Sequence, residues 1–236
     1  MKKNSLMADS ILVQSQIMKA LGNKEIRVFD IGAHRGQTAK VYRSHFPSSE
    51  IYCFEPYPDS IAEIKEQFSN DPKTHIVPMA VAQQKGSLSF YVNDLNVTNS
   101  LLPLTSDIKR YYSQKNRQKK VIDVNGIDID TFIQEEQLAS VDILKLDIQG
   151  GELSALQGAN ALLESGDTPI IYTEVSFFSQ YDGAPLFYDI WTFLIQYGYS
   201  LLNIYNMTVA TKGQLLQGDA LFVNRHVRSE VINNLS

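Results

Sequence analysis

The sequence predicts an α/β protein: a mostly parallel sheet with helices on both faces and an antiparallel pair of strands at its C-terminal edge. Three observations carry this. Short apolar runs rich in β-branched residues alternate with segments whose apolar residues recur at helical spacing, the pattern of strands joined by crossover helices. The first such run, "VFDIGAHRG", halts at a carboxylate and opens into a loop with glycines at 32 and 36, as a strand does when it feeds a helix through a tight turn. The chain then closes on two strand-like runs with a short connection, which adds the antiparallel edge.

Each element has its own signal. Residues 5–22 read as a helix with Met7, Ile11, Met18 and Leu21 along one side. "IRVFDI" (26–31) is a strand, and the helix beginning near Gly36 turns Ala39, Tyr42 and Phe46 inward and stops before Pro47. "IYCF" (51–54) is the next strand. Residues 58–70 place Ile61, Ile64 and Phe68 at i, i+3 and i+7 of a helix. Strands follow at 75–78 and 87–92, the second entered through the turn signal Lys85-Gly86. Residues 93–120 are the least regular. A helix is expected at 128–137, a strand at 141–148, and a helix at 152–163 with Leu153, Leu156 and Leu163 on one face. A strand at 169–175 precedes a strongly periodic helix, 186–197. That helix turns Leu186, Ile190, Phe193, Leu194 and Tyr197 inward, with Trp191 expected in the core. Residues 199–205 and 219–224 supply the last two strands.

Composition sets bounds. A chain of 236 residues with 44% hydrophobic and 20% charged residues, 12 Tyr and 11 Phe can bury a continuous core and does not resemble a disordered segment. A formal net charge of −5 argues against a nucleic-acid partner. The single cysteine, Cys53, lies in an apolar run and reads as a small buried hydrophobe, so neither an intrachain disulfide nor a cysteine zinc cluster is expected. No window reaches the length of a membrane span and no signal peptide follows Lys2 and Lys3, which makes the cytoplasm the expected compartment.

In open α/β sheets ligands sit beyond the C-terminal strand ends. The residues there are Asp30 and Gly32, Glu55, Met79 and Ala80, Asp147 and Glu174. Gly32 and Gly36 lack Cβ atoms and are read as room for a bulky ligand against the backbone. The dinucleotide fingerprint Gly-x-Gly-x-x-Gly is incomplete, because His34 stands at its middle glycine, and no Gly-Lys-Thr phosphate loop is present. A pyrophosphate is therefore disfavoured, and Asp30 suits a cationic group. Glu55, 25 residues after Asp30 at the next strand end, can accept both hydroxyls of a ribose. Its plainer role is a helix N-terminal acid behind Pro56 and Pro58. An adenosine without phosphates, carrying a positive group, describes S-adenosylmethionine.

The chain resembles the FkbM family of S-adenosylmethionine-dependent methyltransferases. The resemblance rests on "VFDIGAHRGQTA", "IYCFEPYPDS", "PMAVAQQKGSLSFYV", "TNSLLPL", "DILKLDIQGGELSALQGA", "YTEVSFFSQYDGAPLFYDIWTFLIQYGY" and "DALFVN", in order over residues 26–224. It implies a class I (Rossmann-like) methyltransferase fold with a seven-stranded sheet, and O-methylation of hydroxyls on sugars, polyketides or other small molecules. It divides the chain into an N-terminal helical extension (1–24), a methyltransferase domain (25–226) and a tail (227–236). By the resemblance Asp30, Gly32 and Gly36 surround the methionine end of the donor, with His34 in the same loop. Glu55 takes the ribose, Met79 and Ala80 flank adenine, Asp147 faces the methyl group, and Ser100 lies on a loop over the site. Two departures stand out: His34 where the family usually has Asn, and Asp147-Ile-Gln149-Gly150 where Asp-x-Glu-Gly is frequent.

Methyl transfer to a hydroxyl needs an acceptor held in line and a group that removes its proton. Asp147, Lys145 and Glu174 are the catalytic candidates, Asp147 the favoured base, with Glu152 and His34 also in reach. Lys145 shares a strand face with Asp147 and either orients that carboxylate or forms a buried ion pair with it. Glu152 equally suits a helix start. A divalent metal between Asp147 and Glu174 is left open. Residues 109–120, "KRYYSQKNRQKK", carry six basic residues with Tyr111 and Tyr112 among them, a solvated loop or a receptor for an acidic substrate. Phe177, Phe178, Tyr181 and Tyr188 suit a sugar or polyketide face, or packing under a lid. The rivals are an RNA methyltransferase, a nicotinamide oxidoreductase and a non-catalytic binding module. No membrane partner is expected, and homo-oligomer formation is left open.

Overall fold

The computed structural model describes residues 3–22, 25–105, 116–210 and 212–233. Its centre is a seven-stranded sheet in the order β3-β2-β1-β7-β8-β10-β9. These strands are β1 (Arg27–Ile31), β2 (Glu50–Phe54), β3 (Thr74–Val77), β7 (Ile143–Leu146), β8 (Ile170–Ser176), β9 (Ser200–Val209) and β10 (Leu215–Val223). All neighbours from β3 to β8 pair in parallel, while β10 runs against both β8 and β9. The chain builds outward from β1 to β3, then returns to the other side of β1 with β7. Strand order therefore reverses between β1 and β7, where open α/β sheets form a ligand crevice.

The helices are α1 (Lys3–Ala20), α2 (Gln37–His45), α3 (Pro58–Gln67), α4 (Ile129–Glu135), α5 (Glu152–Gln157), α6 (Asn160–Ser165), α7 (Phe187–Gln196) and the short α8 (Arg225–Val227). Strand alternation sorts the core into two layers. Phe29, Ile31, Leu144, Leu146 and Ile171 pack on one face with α4–α7, while Val28, Ile51, Cys53, Ile143 and Ile170 pack on the other. α1 covers this second face with Ile11, Ile17 and Met18. It also carries polar ties: the Ser10 hydroxyl donates to the Tyr172 hydroxyl at 3.0 Å, and the Tyr42 hydroxyl donates to Gln14 Oε1 at 2.9 Å. Met7 lies where side chains are outside the described residues. Met18→Ala is expected to lower stability by about 2–5 kcal/mol through the cavity it leaves. Urea unfolding measures this, and a loss under about 1 kcal/mol would mean that α1 does not seal this face.

Three elements depart from the sequence reading. Residues 118–127 form β6 (Gln118–Ile127), which pairs with β4 (Ala80–Val81) and β5 (Gly86–Asn93) in a separate three-stranded sheet. That sheet has its own core of Tyr57, Ala80, Phe90, Val92 and Val124 and carries a 3-10 turn, Asn96–Thr98, toward the crevice. The expected helix 152–163 breaks into α5 and α6 at Gly158, where a Cβ would lie 2.5 Å from the Ala82 carbonyl oxygen. Trp191 is not core: it is 38% exposed on the outer side of α7, its ring tilted against Phe187 with centroids 5.2 Å apart.

Candidate active site

A cavity of about 290 Å³ opens at the C-terminal ends of β1, β2, β7 and β8. One end is an apolar slot of Phe54, Met79, Ala80, Val81, Phe90 and Leu101, and the other is polar, with Asp147, Gln149, Glu174 and Gln217. Gly32, His34, Glu55 and Lys145 border the space between.

The loop after β1 is built for its own chain. Gly32 adopts φ +76°, and a Cβ there would lie 2.0 Å from the Asp147 carbonyl oxygen. Gly36, at φ +79°, faces the Phe68 ring and the Gln67 side chain, with Phe68 Cε2 only 2.8 Å from where its Cβ would be. Of the two glycines expected to make room for a ligand, Gly32 borders the cavity while its missing Cβ also lets the end of β7 close in, and Gly36 instead lets the end of α3 close in. Gly36 is not among the cavity-lining residues. His34 lies at φ +50°, a left-handed conformation in which Asn, Asp and His are enriched. Its Nε2 is buried without a hydrogen-bond partner. Burial, then the charge of Arg35, lowers its pKa.

Asp30 is placed differently from the sequence expectation. It points with Val28 to the face covered by α1, is 0% exposed and does not line the cavity. β1 and β7 pair Asp30 with Lys145, and Lys145 Nζ lies 2.8 Å from Asp30 Oδ1. Lys145 also donates to the Gly32 carbonyl at 3.0 Å. Burial alone would lower the Lys145 pKa, but the charges of Asp30 and Asp147 and the hydrogen bond to Asp30 outweigh it and hold it above the ordinary lysine value. The ion-pair partner of Lys145 is Asp30, not Asp147, so a carboxylate that was to receive a cationic ligand group is already neutralised by the chain.

Glu55 is almost fully buried, and its two oxygens each accept one backbone N–H, from His34 at 2.9 Å and from Tyr57 at 2.8 Å. Desolvation pushes its pKa up to about 7, against the opposing pull of those bonds. A carboxylate has about four lone-pair sites, so this one retains acceptor capacity toward the cavity. Met79 and Ala80 border the apolar slot beside it.

At the polar end Gln149, recorded in the sequence only as a departure from a motif, is central. Its Nε2 donates to Asp147 Oδ1 at 3.0 Å and to Glu174 Oε2 at 2.7 Å. Gln217, brought back by the reversed strand β10, donates to Glu174 Oε1 at 3.0 Å. Ser100 is buried outside the cavity lining, and its hydroxyl donates to the Gln149 carbonyl at 2.8 Å, bracing the loop. Glu152 is also outside it: its oxygens accept from the Ile148 and Gly150 N–H groups, closing the turn after β7. Of the basic run, Lys109, Arg110, Tyr111, Tyr112 and Lys115 lie outside the described residues. Arg117, Lys119 and Lys120 are exposed on or beside β6, and Lys119 pairs with Asp94 at 3.8 Å.

Residues 30–201 match the model of the methyltransferase FkbM domain. A curated relative, 2-O-methyltransferase NoeI of Sinorhizobium fredii (strain NBRC 101917 / NGR234), is 25% identical over 179 residues, covering 74% of this chain and 73% of that protein. Among solved structures, magnesium protoporphyrin IX methyltransferase (ChlM) from Synechocystis PCC 6803, with bound SAM, aligns at TM-score 0.50 and 13% identity over 92% of this chain and 77% of that one. Precorrin-6y C5,15-methyltransferase from Geobacter metallireducens GS-15 aligns at TM-score 0.47 and 10% identity, over 90% and 87%.

Proposed function

We propose, from the premise that this chain belongs to the FkbM methyltransferase family, that it methylates a hydroxyl oxygen of a small molecule, a sugar being the acceptor class. The donor of the family is S-adenosylmethionine, and the cavity fits it. A buried carboxylate with spare acceptor sites, Glu55, stands beside an apolar slot that suits a planar base, and His34 Nε2 is buried without a hydrogen-bond partner at the same cavity. Glu55 would hold the ribose, Met79 and Ala80 the adenine, and the Gly32–His34 loop the amino-acid tail.

The observation that carries the reading is the pair of carboxylates, Asp147 and Glu174, at the polar end of that cavity. When bound, the donor supplies a methyl carbon made electrophilic by its sulfonium. The chain has two tasks of its own. It must orient an acceptor hydroxyl, which Glu174 and Gln217 can do with fixed acceptors and donors. It must also take the hydroxyl proton, which falls to Asp147 at the tip of β7. A relative named for 2-O-methylation supports oxygen as the receiving atom.

The test is transfer of labelled methyl from S-adenosylmethionine to a panel of glycosides and other alcohols. An ether product is expected, with Asp147→Asn lowering kcat by about 10²–10⁴-fold while donor affinity holds. Label found only on amines or RNA would contradict the proposal.

A further inference from the structure

Two carboxylates aimed into one cavity repel each other, and something must hold them in place. A divalent cation is one solution, bridging oxygens from both acids. This chain carries another. The Gln149 carboxamide lies between Asp147 and Glu174, with its Nε2 within hydrogen-bond distance of both, at 3.0 and 2.7 Å. A primary amide nitrogen has two N–H donors and no acceptor, so one group satisfies both acids without charge. Its orientation is fixed from behind: the buried Tyr181 hydroxyl donates to Gln149 Oε1 at 2.8 Å. The backbone is set by the same surroundings, since Gln149 and Gly150 adopt φ +59° and +99° and the Gln149 carbonyl accepts from Ser100. A chain of amides extends the arrangement, Gln180 donating to Gln217 at 2.6 Å and Gln217 to Glu174 at 3.0 Å.

We propose that Gln149, locked by Tyr181, is a positioning residue whose amide takes the place of a bridging cation, so that Asp147 and Glu174 are set for the acceptor without a metal. This rests on the reading of the polar end as the acceptor site. A metal would need oxygens where the amide hydrogens now point, and among the described residues no group of three or more His, Cys, Asp or Glu is placed to hold one.

The experiment compares the full chain with Gln149→Glu and Gln149→Met. Binding of Mn²⁺ is followed by electron paramagnetic resonance, and each variant's fold by its thermal midpoint. Gln149→Glu replaces the donor by a third carboxylate and is expected to bind one Mn²⁺ about tenfold more tightly, or better, than the parent. Asp147→Asn in the same background should abolish this gain. Chelator treatment should leave the parent's methyl-transfer rate unchanged, and Gln149→Met should lower kcat about tenfold or more with affinity for S-adenosylhomocysteine unaltered. The proposal is overturned if the parent binds Mn²⁺ as tightly as Gln149→Glu, if Gln149→Glu binds none, if chelation stops the parent, or if Gln149→Met keeps full kcat. The Mn²⁺ comparison uses no acceptor, so it judges the clamp even where no alcohol is methylated.

Discussion

Lys145→Met is expected to destabilise the fold by about 3–5 kcal/mol, more than any other single substitution near the cavity. Lys145 is 4% exposed and Asp30 0%, and the two face each other across the β1–β7 pairing at 2.8 Å. Removing the ammonium leaves a carboxylate beneath α1 with no counter-charge, and the cost comes mostly from that orphaned charge. The double variant Asp30→Leu/Lys145→Met should therefore recover most of the loss, because it removes both charges from the core. Urea unfolding of the three proteins decides this, and a single variant within about 1 kcal/mol of the parent would refute it. The pH dependence has a fixed sign. Since the folded-state pKa of Lys145 is raised, its contribution is complete below the ordinary lysine value and fades as pH rises through the folded one. The parent should lose this increment only in strong alkali, and the Met variant has none to lose.

The second large effect is on donor binding. Glu55→Gln is expected to weaken S-adenosylmethionine binding by about 10²–10⁴-fold, the value of two hydrogen bonds to a charged acceptor at about 1.5–3 kcal/mol each. The amide also sets an N–H₂ against one of the two backbone N–H groups, from His34 or Tyr57, that the carboxylate now satisfies. Ribose hydroxyls donate to the ionised form. With the free carboxyl raised to about 7, binding must expel a proton below that pH. Affinity of the parent should fall by up to about tenfold per pH unit below 7 and stay level above it, whereas Glu55→Gln should be flat. Burial, then the charge of Arg35, lowers the His34 pKa from the ordinary histidine value. Calorimetry at pH 6 and pH 8 separates the outcomes: equal parent affinity at both would mean that the free carboxyl is already ionised, and a Glu55→Gln affinity equal to the parent's would deny Glu55 its place on the ribose.

Much of the fold was legible because its signals are local. Strands at 27–31, 50–54, 143–146 and 170–176 are apolar runs buried on both faces, and helices such as α3 show their period in a few residues. β6 escaped notice because it opens with Gln118, Lys119 and Lys120, all exposed, and contains Gly126, so its apolar alternation is confined to the middle. The split between α5 and α6 depends on the Ala82 backbone, more than seventy residues away, against which Gly158 rests. Site residues at strand ends could be listed from the order of elements, but not their directions. Asp30 turns away because Phe29 and Ile31 claim the opposite face, a period-two inference the sequence does permit. Gln149 and Gln217 gave no such notice. The first depends on a left-handed turn, the second on a strand that returns antiparallel from the C-terminal end, and their common target, Glu174, links them only in three dimensions.

The account centres on one orientation of the donor across the cavity. A crystal structure of the chain with S-adenosylhomocysteine tests it most directly. The expected result is both ribose hydroxyls on the Glu55 carboxylate, adenine between Met79 and Phe90, and the sulfur directed toward Asp147. A nucleoside bound with its ribose away from Glu55, or its sulfur turned from Asp147, would contradict it.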